Sequence, residues 1–226
     1  MWRELINIWK SHNLLEQAWN ESFEMLEIDR RMYLEAVRVL READDAALNE
    51  DIRQLDKRVN KYERDVRRKV MTHCAVEGAH DLTSGMILIS LVIDIERVGD
   101  YCKNILDLAQ MHPKTLKVSH YDKALTLIEN EVKERFNRTI EALKNQDVEA
   151  ARSLMRTYKQ EVGRECDKIV EDLVSGKCVD LSSADATTLA LYARYLKRIS
   201  AHLNNMATSV VNPFHRLGFK EKEPKN

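Results

Sequence analysis

Glycine and proline are scarce, with 6 and 3 in 226 residues. So few turn formers leave room for only a handful of chain reversals. With 44% hydrophobic and 32% charged residues, they imply long amphipathic helices. No sign of charge dominates either. The 36 basic and 37 acidic side chains leave a net charge of -1, which gives no case for a nucleic-acid partner. Four cysteines, Cys74, Cys102, Cys166 and Cys178, show no C-x-x-C spacing. They read as small core residues of a reduced, cytoplasmic protein. No apolar run reaches the ~18 residues of a membrane span, and Met1-Trp-Arg-Glu opens no signal peptide. Catalytic patterns are missing as well: there is no HExxH, G-x-S-x-G, Walker or G-x-G-x-x-G motif. Di-iron bundles need two Glu-x-x-His motifs on facing helices. Here that spacing occurs at Glu77–His80, in a predicted loop. These absences argue against an enzyme.

What is present centres on Met86–Asn104. On a helix at roughly 100° per residue, Leu88, Leu91, Val92, Ile95, Val98, Cys102, Leu106 and Ala109 form one apolar stripe. Ile89 and Ile93 lie on other faces, so the first half is apolar nearly all round and is expected to be buried. Glu96 and Asp100 stand one turn apart beside the stripe. Hard oxygen ligands at that spacing suit a divalent metal or iron, completed by water or by another helix, where Glu63 is a candidate. The competing reading is ion pairing with Arg97, Lys103 or the basic residues of the preceding helix. Asp94 points away from Glu96 and is not expected to share an ion with it.

The rest of the chain reads as helices at about 14–43, 46–76, up to 111, then 119–145, 147–175 and 184–211. Asp44-Asp45 and Asp147 are expected helix caps, and Gly78 and Gly176 mark loops. Basic residues crowd the second helix, interleaved with acids, as on a solvated, ion-paired face. Trp2, Leu5, Ile6 and Trp9 make one apolar face of a short amino-terminal helix. It either caps the bundle or docks on a partner or a membrane surface. A contact with this chain's own bundle or with a second copy is favoured over lipid, because Arg3 and Lys10 supply little attraction to anionic headgroups.

The second half replays the first. Tyr195–Asn205 lies 101 positions after Asp94–Asn104, with Arg198 on Arg97, Ile199 on Val98 and Asn205 on Asn104. Lys197 replaces Glu96 and Ala201 replaces Asp100, so both carboxylates are gone and the charge there is reversed or abolished. Recurrence of Arg97 and Arg198 suits packing or partner contact better than a site unique to one half. The expected fold is all-α, a tandem of two antiparallel three-helix bundles divided at 1–112 and 113–226, each long enough to bury a core.

Ile95-Glu-Arg-Val-Gly-Asp-Tyr-Cys-Lys-Asn104 resembles the signature of PhoU proteins, whose third helix reads close to D-L-x-E-R-I-G-D-H-x-x-N. Asp94, Glu96, Arg97, Gly99, Asp100 and Asn104 match, while Tyr101 stands where His is usual and His202 restores it in the second half. The resemblance implies a regulator of phosphate uptake that contacts a phosphate transporter or sensor kinase at the inner membrane face, and a homodimer. It also implies metal, including iron clusters, at E-x-x-x-D motifs. Of the two repeats only Glu96 and Asp100 qualify. The alternative is a metal-binding bundle, for storage or metal-dependent catalysis, built on the same pair.

Overall fold

The computed structural model describes residues 14–43, 50–112, 114–177 and 180–221. The described residues form helices and no strand. The first bundle comprises α1 (Leu14–Glu42), α2 (Ile52–Glu77) and α3 (Leu82–Met111). The second comprises α4 (Asp122–Asn145), a rod made of α5 (Val148–Tyr158) and α6 (Arg164–Val174), and α7 (Ser183–Val211). The rod was expected as one unbroken helix. Instead it carries a single π-turn, Lys159–Gly163, between α5 and α6. Trp2, Trp9 and the rest of the expected amino-terminal helix lie outside the described residues, as do Asp44, Asp45 and Cys178.

Helix ends follow local chemistry. The second helix starts at Ile52 rather than near 46, because Asp51 takes the cap: its Oδ1 accepts from Gln54 N at 3.1 Å. Asp147 caps α5 as the sequence implies, accepting from Ala150 N at 3.0 Å. Gly78 and Gly176 turn the chain at φ 79° and 70°, a region that side chains with a Cβ rarely enter.

The α3 stripe from Leu88 to Ala109 is buried throughout. Its burial against α1, α2 and α7 is the main source of cohesion. Burial all round the first half of α3 is not found. Ile93 is 40% exposed and Met86 38%, because the neighbouring helices cover only part of its circumference. A second difference concerns the cores. Buried apolar residues from Ala18 to Met206 form one continuous cluster, so the two bundles share a core.

They share it because α3 packs on α7 and α1 on α4. Tyr33 of α1 sets its ring 5.5 Å from that of Phe136 of α4, tilted by 37°, and donates its hydroxyl to Glu129 O at 2.8 Å. That partner is what lets a fully buried phenol sit in the seam. Tyr192 of α7 donates to the Glu129 carboxylate at 2.7 Å, and Arg41 of α1 reaches the same group at 3.1 Å.

Along α3 and α7 the pairing is two-fold in character. Asp94 meets His202 at 2.7 Å. Their repeat equivalents, Tyr195 and Tyr101, meet each other at a ring separation of 5.8 Å. Residue i touches j, and the equivalent of i touches the equivalent of j.

Candidate functional site: a carboxylate corner on the first repeat

Asp29 lies in the α1 stripe between Leu26 and Tyr33, where the apolar sequence skips a step. It is fully buried. Among the described residues neither of its carboxyl oxygens has a hydrogen-bond partner. Gly99 of α3 makes the seat: a Cβ added there would stand 2.8 Å from Asp29 Oδ1. Burial, and then the charges of Asp56, Glu96 and Asp100, push the Asp29 carboxyl well above the usual carboxylate range. A group so placed holds its proton.

Glu96 and Asp100 sit at the rim of the same corner, both half-buried. Burial and then Asp100 raise Glu96, with Arg97 opposing. Lys103 spans the corner, with Nζ 3.0 Å from Asp100 Oδ1 and 3.0 Å from Asp56 Oδ1. Its burial works against the charge, but the bonds to Asp100 and Asp56 outweigh it and lift the ammonium above its ordinary value. Arg97 reaches Asp100 at 3.3 Å and Glu96 at 3.7 Å. Glu63 pairs with Arg67 at 2.7 Å. Cations of the chain therefore already occupy both expected ligands. Among the described residues no group of three or more His, Cys, Asp or Glu is placed to hold a metal ion. The side chains as they stand do not converge on a resident metal, and Asp29 is accommodated as a neutral carboxyl.

The equivalent corner of the second repeat is closed differently. Lys197 Nζ lies 2.6 Å from each oxygen of Asp167 on α6. The two signature arginines also part ways. Arg97 serves its own helix, whereas Arg198 crosses the seam, its Nε donating to Tyr101 Oη at 3.2 Å. Arg198 can only donate, so His202 Nε2 accepts from it at 3.2 Å and Nδ1–H faces Asp94. Asn205 Nδ2 adds a 3.4 Å bond to Asp94. Asn104 is half-buried. Asp94, His202, Arg198, Tyr101 and Asn205 thus form a separate network in the seam, facing away from the carboxylates.

The family profile described as "PhoU domain" matches residues 23–109 and again residues 125–210. The chain belongs to the PhoU family. Among solved structures it is similar to PhoU from Pseudomonas aeruginosa, at 23% identity and a TM-score of 0.80, covering 88% of this chain and 96% of that one. It is also similar to the phosphate transport system regulatory protein PhoU from Streptococcus pneumoniae, at 14% identity and a TM-score of 0.74, covering 87% and 93%. No curated protein matches it. Each profile match reaches across all three helices of its repeat. Within the PhoU signature, Gly99 is explained by the close approach of Asp29, and Asp94 by the seam. Sequence reasoning missed Asp29. The signal was there, an acid on the apolar face of α1.

Proposed function

We propose that this protein is a regulator of phosphate uptake and phosphate signalling, working in the cytoplasm by contact with a phosphate transporter or sensor kinase. It carries out no chemistry of its own, and it acts as a homodimer that is peripheral to the membrane through its partner. The observation that carries this reading is the family match in both repeats, with the signature itself kept on α3 of the first. Among the described residues no helix is long and apolar enough to cross a membrane, which fits attachment through a partner. The test is co-purification of the tagged chain with the phosphate transporter and with the sensor kinase of its host, alongside phosphate uptake in a strain lacking the gene. The expected result is a stable complex with one of them and raised uptake without the gene. Unaltered uptake together with no complex would sink the reading.

A second reading is favoured by Asp29. It holds its proton when no ion is bound, but it lies beside Asp56, Glu96 and Asp100, and a positive ion among these carboxyl groups would displace that proton. Glu96 and Asp100 would then hold a divalent metal or iron on the first repeat alone, since Lys197 and Ala201 offer no ligands on the second. Metal analysis of the purified protein and of E96A/D100A separates the two. Metal absent from the wild type, or unchanged in the variant, would remove this reading and leave the first intact.

A further inference from the structure

A cavity of about 670 Å³ opens between α5, the π-turn, α7 and the segment after Pro213. Its volume falls within the roughly 300–1,000 Å³ typical of small-molecule sites. Five cations line it: Arg152, Arg156, Lys159, Arg164 and Lys220. Glu221 is the one carboxylate among its described lining residues, which leaves an excess of four positive charges. The chain as a whole carries a net charge of -1, so this concentration of charge is local.

The π-turn is what gathers the arginines. Arg152, Arg156 and Arg164 are separated by steps of four and eight. On a regular α-helix four residues overshoot one turn of 3.6, so such a row drifts around the rod. The wider π-turn at Lys159–Gly163 falls short by a similar amount and brings Arg164 back into line. The buried Arg135 braces the rod from behind, donating to Leu154 O at 3.0 Å and Thr157 Oγ1 at 2.7 Å on α5 and to Glu161 Oε2 of the π-turn at 3.3 Å.

The cavity already grips an anion. Arg152 takes the Glu221 carboxylate as a fork, Nε to Oε2 at 2.9 Å and Nη2 to Oε1 at 2.7 Å. The carboxyl-terminal segment delivers that group because it folds back on α7. Gly218 N–H donates to Thr208 Oγ1 at 2.8 Å, and Asn212 Nδ2 to Phe219 O at 2.7 Å. The remaining walls include Tyr158 and Phe219, the latter 62% exposed.

We propose that this cavity is a binding site for a soluble, polyphosphorylated small molecule of nucleotide size. Its phosphates meet Arg156, Lys159 and Arg164, and its apolar part lies against Tyr158 and Phe219. The arginine fork suits phosphate as it suits carboxylate, and the charge excess calls for more than one anionic group. Glu221 is a built-in competitor for Arg152, so ligand binding and release of the tail are coupled.

Titration calorimetry with ATP as the probe, at physiological salt, tests this, with inorganic phosphate in parallel. The expected result is saturable binding of ATP, one per chain, weaker for phosphate. Arg156→Ala with Arg164→Ala should weaken ATP by about tenfold or more, and Glu221→Gln should tighten it about threefold. Amide resonances of Gly218 and Asn204 should shift on titration, a readout that needs no variant to fold. No saturable binding of ATP, or equal affinity in the double variant, overturns the proposal. Sedimentation with phosphatidylglycerol vesicles that depends on Arg156 and Arg164, without ATP binding, overturns it in favour of a lipid headgroup. Unchanged affinity in Glu221→Gln overturns the competition by the tail.

Discussion

Replacing Asp29 by Asn keeps the shape of the side chain and removes its acidity. In the folded chain the Asp29 carboxyl is held neutral by burial and by three neighbouring carboxylates. In the unfolded chain it ionises near pH 3.9. The sign follows from proton counting. Above that value the folded state binds one more proton than the unfolded state, so stability falls as pH rises towards the folded pKa and then levels off. The loss is about 1.4 kcal/mol per pH unit, and between 3.9 and pH 7 it cannot exceed about 4 kcal/mol. Asn carries no such penalty. D29N should therefore be more stable than the wild type at pH 7 and lose the advantage by pH 4. Urea denaturation of both proteins from pH 4 to 8 measures the difference, and subtraction removes groups common to both, such as Glu96 and Glu129. A D29N protein less stable than the wild type at pH 7 would refute the reasoning. That result would mean that Asp29 is ionised in the fold and neutralised by a cation.

Two further predictions rest on packing and on the seam. Val98→Ala and Ile199→Ala, at fully buried and repeat-equivalent positions, should each cost about 1–4 kcal/mol in urea denaturation; a loss below about half a kcal/mol would contradict their burial. Asp94→Ala and His202→Ala should be non-additive by about 0.5–3 kcal/mol in a double-mutant cycle, since they bond directly across the repeats; additive losses would mean that the contact contributes nothing.

Much of the fold was legible because helical period and turn residues are local signals. The α3 stripe, the Asp147 cap and the glycines at 78 and 176 all follow from neighbours within one or two turns. What was not legible depends on distant partners. The exposure of Ile93 reflects how far around α3 its neighbours reach. The start of α2 was misplaced because Asp51, closer to the first apolar residue of the helix, Ile52, holds the cap geometry. The π-turn lies beside Arg135, which reaches the end of α5 and Glu161 from another helix. The carboxylate corner was half legible. Glu96 and Asp100 were visible as an i, i+4 pair. Asp29 belongs to another helix, and its relation to Gly99 exists only once α1 and α3 touch.

The pairing along α3 and α7 has a consequence for symmetry. Two identical three-helix repeats closing on each other through this face would form an isologous dimer, in which every contact occurs twice. Asp94 with His202 and Tyr195 with Tyr101 are the two copies of one such contact. Joined in one chain, the copies are free to differ, and here one is a carboxylate–imidazole pair and the other a pair of phenol rings. An identical-subunit dimer could not hold that difference, because any residue suited to one copy would be imposed on the other. The tandem chain thereby has two distinguishable ends where a symmetric dimer has one end repeated. A partner that binds to one end leaves the other free.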